Sequence, residues 1–356
     1  MSQRSWFLYC ATRAPVRDPN GVIMPEQKLD VVAIGNAIVD VLSHADDAFV
    51  TKHGLAKGSM TLIDAAQADK LYADMGPGVE VSGGSAANTI AGLAALGAKC
   101  GFIGRVRNDQ LGNVYAHDLR AGGVEYTTTM ATSGPGTGRC YILVTPDAQR
   151  TMNTYLGASV ELGPGDVDAR MVERARILYL EGYLWDRPGA KEAFRKAADI
   201  ARTKGAKVAF SLSDAFCVNR WRDEFRELIE KRVDILFANE TEITALYRVN
   251  TFEEAVPMVR AHTEVAALTR SEKGAVIVRG QETATVAAER IAKVVDTTGA
   301  GDLYASGFLC GLLRGRDLAT AGSMGAIAAA EVISHFGARP EAPLKELMRK
   351  QLGYSV

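Results

Sequence analysis

From residue 29 onward the chain repeats one rhythm: a short apolar run, a turn, then a stretch of helical period. Asp30-Val31-Val32-Ala33-Ile34 ends at Gly35-Asn36 and reads as a first buried strand. Later runs predict strands over 99–103, 176–180, 207–212, 233–238 and 265–268. Between them the pattern predicts helices over 85–96 (capped by Ser85), 109–121, 190–203, 221–231 and 240–247, followed by 300–314 and 319–333. Strands this uniformly apolar must be covered on both faces, which implies an α/β fold with a mainly parallel sheet between helical layers. Its ligand site should lie beyond the strands' carboxyl ends. Neither a repeat nor a linker divides the chain, so residues 1–28 are expected to be an extension and 29–356 one domain.

One stretch breaks the rhythm. Between about 124 and 157 Thr, Gly, Tyr and Val dominate, and Arg139-Cys140-Tyr141-Ile142-Leu143-Val144 meets Thr151-Met152-Asn153-Thr154-Tyr155 across Pro146-Asp147-Ala148. That texture predicts a β-hairpin inserted into the βα framework.

Glycine is the compositional outlier: 35 of 356 residues, about 10% against a usual ~7%, with no collagen-like period. Such a surplus implies close backbone approach in several places. With 41 Lys and Arg against 42 Asp and Glu the formal charge is -1, which supplies no general field for nucleic acid or an anionic membrane. No apolar run reaches the ~18 residues of a membrane helix. Residues 6–11 are too short for a signal-peptide core, Arg13 and Arg17 follow closely, and Met24 is a candidate start. Five scattered cysteines (Cys10, Cys100, Cys140, Cys217 and Cys310) contain no CxxC pair; they suit a reducing compartment and a cytoplasmic protein. The histidines 44, 53, 117, 262 and 335 show no metal spacing.

The most informative stretch is Asp296-Thr297-Thr298-Gly299-Ala300-Gly301-Asp302 at the mouth of a helix. Helix starts leave N–H groups unpaired and carry partial positive charge, and glycines 299 and 301 let an anion approach them, so phosphate is the natural guest. An acid in such a turn repels phosphate. It makes sense if Asp302 accepts the proton of a hydroxyl that attacks phosphorus; the plainer reading is a helix-entry cap. A second cluster, Ser82-Gly83-Gly84-Ser85-Ala86-Ala87-Asn88, presents Ser85 and Asn88 on one helical face. It suits a polyhydroxylated ligand, or simply a capped glycine turn. Asn36 and Asp40 follow the first strand, where a carboxylate could grip two sugar hydroxyls. Asn239-Glu240-Thr241-Glu242 ends a buried strand: Asn239 and Glu242 form either a capping box or a station for Mg²⁺ and its waters, two compatible readings. Tyr183 and Trp185 stack on a base or belong to the core.

These pieces, in this order, resemble the ribokinase (PfkB-type) family of ATP-dependent carbohydrate and nucleoside kinases. The carriers are Gly83–Asn88 with Gly97 and Ile103-Gly104, Asn239–Glu242, and Asp296–Asp302. Within the family the chain is most similar to the adenosine-kinase branch, through Gly35-Asn36 with Asp40, Thr137-Gly138-Arg139-Cys140, Ser211-Leu212-Ser213 and Val233–Glu242. The resemblance implies a Rossmann-like αβα sandwich with a small β lid, its segments at about 40–63 and 124–157. It implies transfer of the ATP γ-phosphoryl group to a primary hydroxyl, the 5′-OH of adenosine to give AMP, or in a sugar kinase of the same family an acceptor such as ribose, fructose or a keto-deoxy sugar. Asp302 would then be the catalytic base, with the amides of Gly299, Ala300 and Gly301 as anion hole. Asp40, helped by Asn36, Gly84, Ser85 and Asn88, would hold the sugar, and Cys140 with Tyr183 or Leu184 would flank the base. Asn239 and Glu242 would organise Mg²⁺ through water, Thr269 and Gly274 would lie by ATP, and Asp296 and Thr298 would bind a monovalent cation such as K⁺. Partners would be small molecules, with the protein a monomer or a lid-joined dimer. The lid's Arg139 and Arg150 depart from the pattern. Two readings of other classes stand against a kinase. A nicotinamide oxidoreductase lacks the complete glycine fingerprint here, Tyr304 standing at the third glycine, and a silent sugar-binding regulator would have no need of Asp302.

Overall fold

The computed structural model describes residues 28–147 and 149–353; the expected N-terminal extension, with Cys10 and Met24, lies outside them. Nine strands form the larger sheet, in the order Glu282–Val286, Ala275–Arg279, Val265–Thr269, Ile235–Asn239, Lys207–Ser211, Ala175–Glu181, Leu29–Ile34, Cys100–Ile103, Val124–Tyr126. Neighbours from Val265–Thr269 to Val124–Tyr126 are parallel. Ala275–Arg279 and Glu282–Val286 extend the sheet antiparallel, a hairpin that the βα rhythm does not announce.

Alternation along each strand explains the two helical layers. Val31 and Ala33 enter one core with helices Ser85–Ala95, Gln110–Ala121, Ala300–Leu313, Leu318–Val332 and Leu344–Leu352. Val32 and Ile34 enter the other with Pro188–Thr203, Ala215–Arg232, Glu240–Tyr247 and Phe252–Arg260. In the first layer part of the glycine surplus is spent on packing: a Cβ at Gly307 would sit 2.2 Å from the Met324 carbonyl oxygen. The helix expected at 221–231 begins earlier, at Ala215 under an Asp214 cap, and bends at Trp221. There the indole Nε1 donates to Asp186 at 2.5 Å. The kink interrupts the period, which hid the first turns.

From Leu29–Ile34 the chain first builds outward to Cys100–Ile103 and Val124–Tyr126, then returns to Ala175–Glu181 on the other side. The crevice between the carboxyl ends of Leu29–Ile34 and Ala175–Glu181 is therefore the topological switch point.

A second, five-stranded sheet covers that crevice, in the order Met60–Leu62, Arg150–Tyr155, Gly138–Val144, Ile38–His44, Gly78–Gly83. The hairpin expected at 139–155 is present. Two details differ from the sequence reading. Val124–Tyr126 belongs to the large sheet, and Gly78–Gly83, unforeseen, joins the lid beside Ile38–His44. Register sorts the lid's faces. Asp40 pairs with Cys140 and Leu42 with Ile142, while Ile142 faces Met152 and Val144 faces Arg150. One face thus carries Asp40 and Arg150 among Ile38, Leu42, Cys140, Ile142 and Met152. The opposite face packs Val39, Val41, Tyr141 and Leu143 into the first core.

Candidate active site

At the switch point the organising group is one that sequence reasoning passed over, Glu181. It ends a strand of buried apolar residues and is itself fully buried. Oε1 accepts from the Asn36 backbone N–H (2.7 Å) and side-chain amide (2.8 Å), and Oε2 accepts from the Ala86 N–H at 2.7 Å. Burial pushes its pKa up to about 7 against those donors. An acid closing an apolar strand was the available signal. Asn36, 3% exposed, also accepts from Ser159 Oγ at 2.9 Å. Its side chain is therefore engaged in building the pocket wall.

The glycine turn is shaped by what it touches. Gly84 has φ 96 and occupies the N-cap of helix Ser85–Ala95 without a side-chain cap; a Cβ there would lie 2.1 Å from the Asn36 carbonyl oxygen. At Gly83 a Cβ would meet the Asp40 carboxylate at 2.4 Å. Ser85, expected as the cap, is displaced into the helix, and its hydroxyl donates to Asp302 Oδ1 at 2.6 Å. One turn on, Asn88 Nδ2 donates to Asp302 Oδ2 at 3.0 Å. The two clusters read separately in the sequence thus converge on one carboxylate. Burial raises the pKa of Asp302, opposed by the Ser85 and Asn88 hydrogen bonds. Asn88 Oδ1 is buried without a protein partner among the described residues.

Across the crevice Asp40 projects from the lid. Desolvation raises its pKa to about 7 against the attraction of Arg339 and Arg150. Arg339, also missed, is a half-buried cation whose Nε donates to the Ser82 carbonyl (2.9 Å) and Nη1 to that of Ala87 (2.5 Å). It ties the C-terminal segment to the glycine turn, and nothing in its local sequence marks it. Cys140 is buried beside Asp40, its thiol pushed up to about 12. Tyr183 is 39% exposed within electrostatic reach of Asp302, whereas Leu184 and Trp185 are core.

The third station is the helix start at Gly299. The Ala300 amide donates to the Thr297 carbonyl at 3.2 Å, while those of Gly299, Gly301 and Asp302 have no backbone acceptor among the described residues. Above Gly301 there is open space: a Cβ there would meet nothing within 4 Å. Protein packing does not require that glycine. Asn239 and Glu242 form the capping box in full, Oε1 of Glu242 accepting from Asn239 Nδ2 at 2.6 Å. Thr269 is Asn239's register neighbour. Gly274, φ 86, turns the chain into the antiparallel hairpin. Glu242 has its pKa raised to about 7, by burial first and then by Asp214 and Asp302. No cluster of His, Cys, Asp and Glu able to hold a metal ion by itself is present among the described residues. A cavity of about 440 Å³ is lined by Arg290, Ile327, Glu331, His335 and Leu347.

At Asp296 and Thr298 the picture is different. Asp296 accepts from the Thr298 N–H (3.0 Å) and the Gly337 N–H (3.1 Å), and it is ion-paired with Arg150 of the lid. Arg150 also donates to Thr298 Oγ1 at 3.0 Å. A guanidinium stands where the resemblance placed a monovalent cation, and the site does not fit both.

A doubly covered sheet with a lid, an acid at a helix start with open amides, and a carboxylate facing it together define a phosphotransferase cleft. Comparison with known proteins agrees: residues 49–345 match the model of the pfkB family of carbohydrate kinases. The chain belongs to that family and is an ATP-dependent kinase acting on an alcohol. A probable sugar kinase from Rhizobium etli is 50% identical, with 92% of this chain and 99% of that one covered at a TM-score of 0.85. An adenosine kinase from Sinorhizobium meliloti is 49% identical over 91% of this chain and 99% of its own, with a TM-score of 0.84. More distantly, a 5-dehydro-2-deoxygluconokinase from Geobacillus kaustophilus is 28% identical over 263 residues, covering 71% of this chain and 78% of that one. Among the described residues no helix is long and apolar enough to cross a membrane.

Proposed function

We propose that this kinase transfers the γ-phosphoryl group of ATP to the 5′-hydroxyl of adenosine, giving AMP and ADP. The observation that carries the reading is Asp302, held by Ser85 and Asn88 at the mouth of helix Ala300–Leu313. Ionised, it takes the hydroxyl proton as the oxygen attacks phosphorus, and the unpaired amides of Gly299 and Gly301 meet the charge on the transferring group. Asp40 accepts two sugar hydroxyls, while Asn36 and Glu181 fix the wall behind them. Mg²⁺, when bound through water near Glu242 and Asn239, would supply charge along the phosphates. The nucleotide's far end would extend past Thr269 and Gly274.

Support for adenosine comes from the lid. Its inner face pairs one carboxylate with a run of Leu42, Cys140, Ile142 and Met152, chemistry suited to a ribose diol joined to a flat, weakly polar base. The 49% identical adenosine kinase points the same way. A sugar kinase with the same Asp302 machinery is the second reading, favoured by the 50% identical probable sugar kinase and the 28% identical gluconokinase. A panel of adenosine, ribose, fructose and 5-dehydro-2-deoxygluconate with coupled ADP detection separates them. Adenosine should lead in kcat/KM by about 10–200-fold, the discrimination one apolar pocket supplies. A higher kcat/KM on the sugar acid overturns the assignment.

A further inference from the structure

We propose that the guanidinium of Arg150 takes the place of a bound monovalent cation beside the phosphate turn, so that this chain binds no such ion there and its charge arrives with the lid. The inference rests on the kinase reading only for its consequence; the contact itself is a matter of geometry.

Asp296 is buried, its side chain 3% exposed, and that of Arg150 is 8% exposed. Both carboxylate oxygens are committed, Oδ1 to the Thr298 amide and Oδ2 to the Gly337 amide and Arg150. The Thr298 hydroxyl accepts from the same guanidinium nitrogen at 3.0 Å. Apolar packing completes the seat, with the Arg150 guanidinium over the Phe336 ring at 5.6 Å to its centroid. A second positive charge would meet this one inside a poorly solvated cleft, where like charges repel far more than in water.

The two partners belong to different parts of the molecule. Arg150 opens the lid strand Arg150–Tyr155, whereas Asp296 and Thr298 lead into helix Ala300–Leu313. A diffusible ion would be independent of the lid; this charge is carried on it. Positive charge next to the phosphate turn is therefore coupled to closure over the acceptor.

Thermal melting without nucleotide or acceptor tests the substitution apart from the kinase assignment. Wild-type protein is melted in KCl, NaCl and tetramethylammonium chloride at equal ionic strength and should give the same Tm in all three. In R150M, which keeps an apolar stem over Phe336 and removes the charge, K⁺ should raise Tm over tetramethylammonium by about 2–4 °C, saturably. R150K, retaining a cation, should stay indifferent, and it reads the same question if R150M does not fold. A saturable K⁺-specific rise in wild type would overturn the proposal, because ion and guanidinium would then coexist. A folded R150M indifferent to K⁺ would overturn it too, since the vacated seat would be no cation site.

Discussion

Two glycine turns meet at Asp302, and they carry glycine for opposite reasons. In Gly83-Gly84 the fold itself forbids a side chain: φ is 96 at Gly84, and a Cβ would strike Asn36 or Asp40. At Gly301 the chain would tolerate a Cβ without any contact. The first turn is a piece of architecture that holds the acceptor wall. The second leaves the space above it open, where the proposed phosphate would lie. Similar glycine motifs in a sequence thus record different constraints, one internal and one tied to the proposed ligand.

The comparison can be broken by substitution. Where the turns meet, Asp302→Asn should lower kcat by about 10²–10⁴-fold, the range of general-base catalysis, while calorimetry still finds both substrates bound. On the acceptor side, Asp40→Ala should raise KM for the acceptor roughly 10–100-fold, the loss of hydrogen bonds to a charged group, and leave ATP binding in place. Gly301→Val should raise KM for ATP about tenfold with Tm unchanged; Gly84→Ala should do the reverse, lowering stability by about 1–3 kcal/mol in denaturant melts. A Gly301→Val variant that melts early would erase the distinction between the turns. The smallest effect is in pH. With the Asp40 pKa near 7, protonation below that value removes acceptor capacity, so KM for the acceptor should rise as pH falls through about 7. Folding runs the other way. A carboxyl whose pKa is raised on folding binds its proton more tightly in the native state, and its penalty on stability grows as pH rises from about 4 to 7.

The βα rhythm was legible because buried parallel strands are uniformly apolar, and Asp302, Asp40, Ser85 and Asn88 because polar groups at strand ends and helix starts stand out locally. What the sequence hid was relational. Glu181 and Arg339 act on backbone groups about 145 and 257 residues away, and no local pattern encodes such a partnership. Gly78–Gly83 escaped because only Val79 and Val81 are apolar side chains in a run that begins and ends in glycine. The cation site at Asp296 and Thr298 was implied by the family resemblance; only the lid's fold brings Arg150 to them.

The central claim, that Asp302 is the base, is tested most directly by single-turnover phosphoryl transfer measured against pH in wild type and Asp302→Asn with both substrates saturating. Wild type should climb from low pH to a plateau as Asp302 ionises, with its midpoint above the ordinary carboxylate value of about 4, since burial raises it. The variant should be slow and without that limb. An equally steep acid limb, or a near-normal rate, in Asp302→Asn would contradict the account.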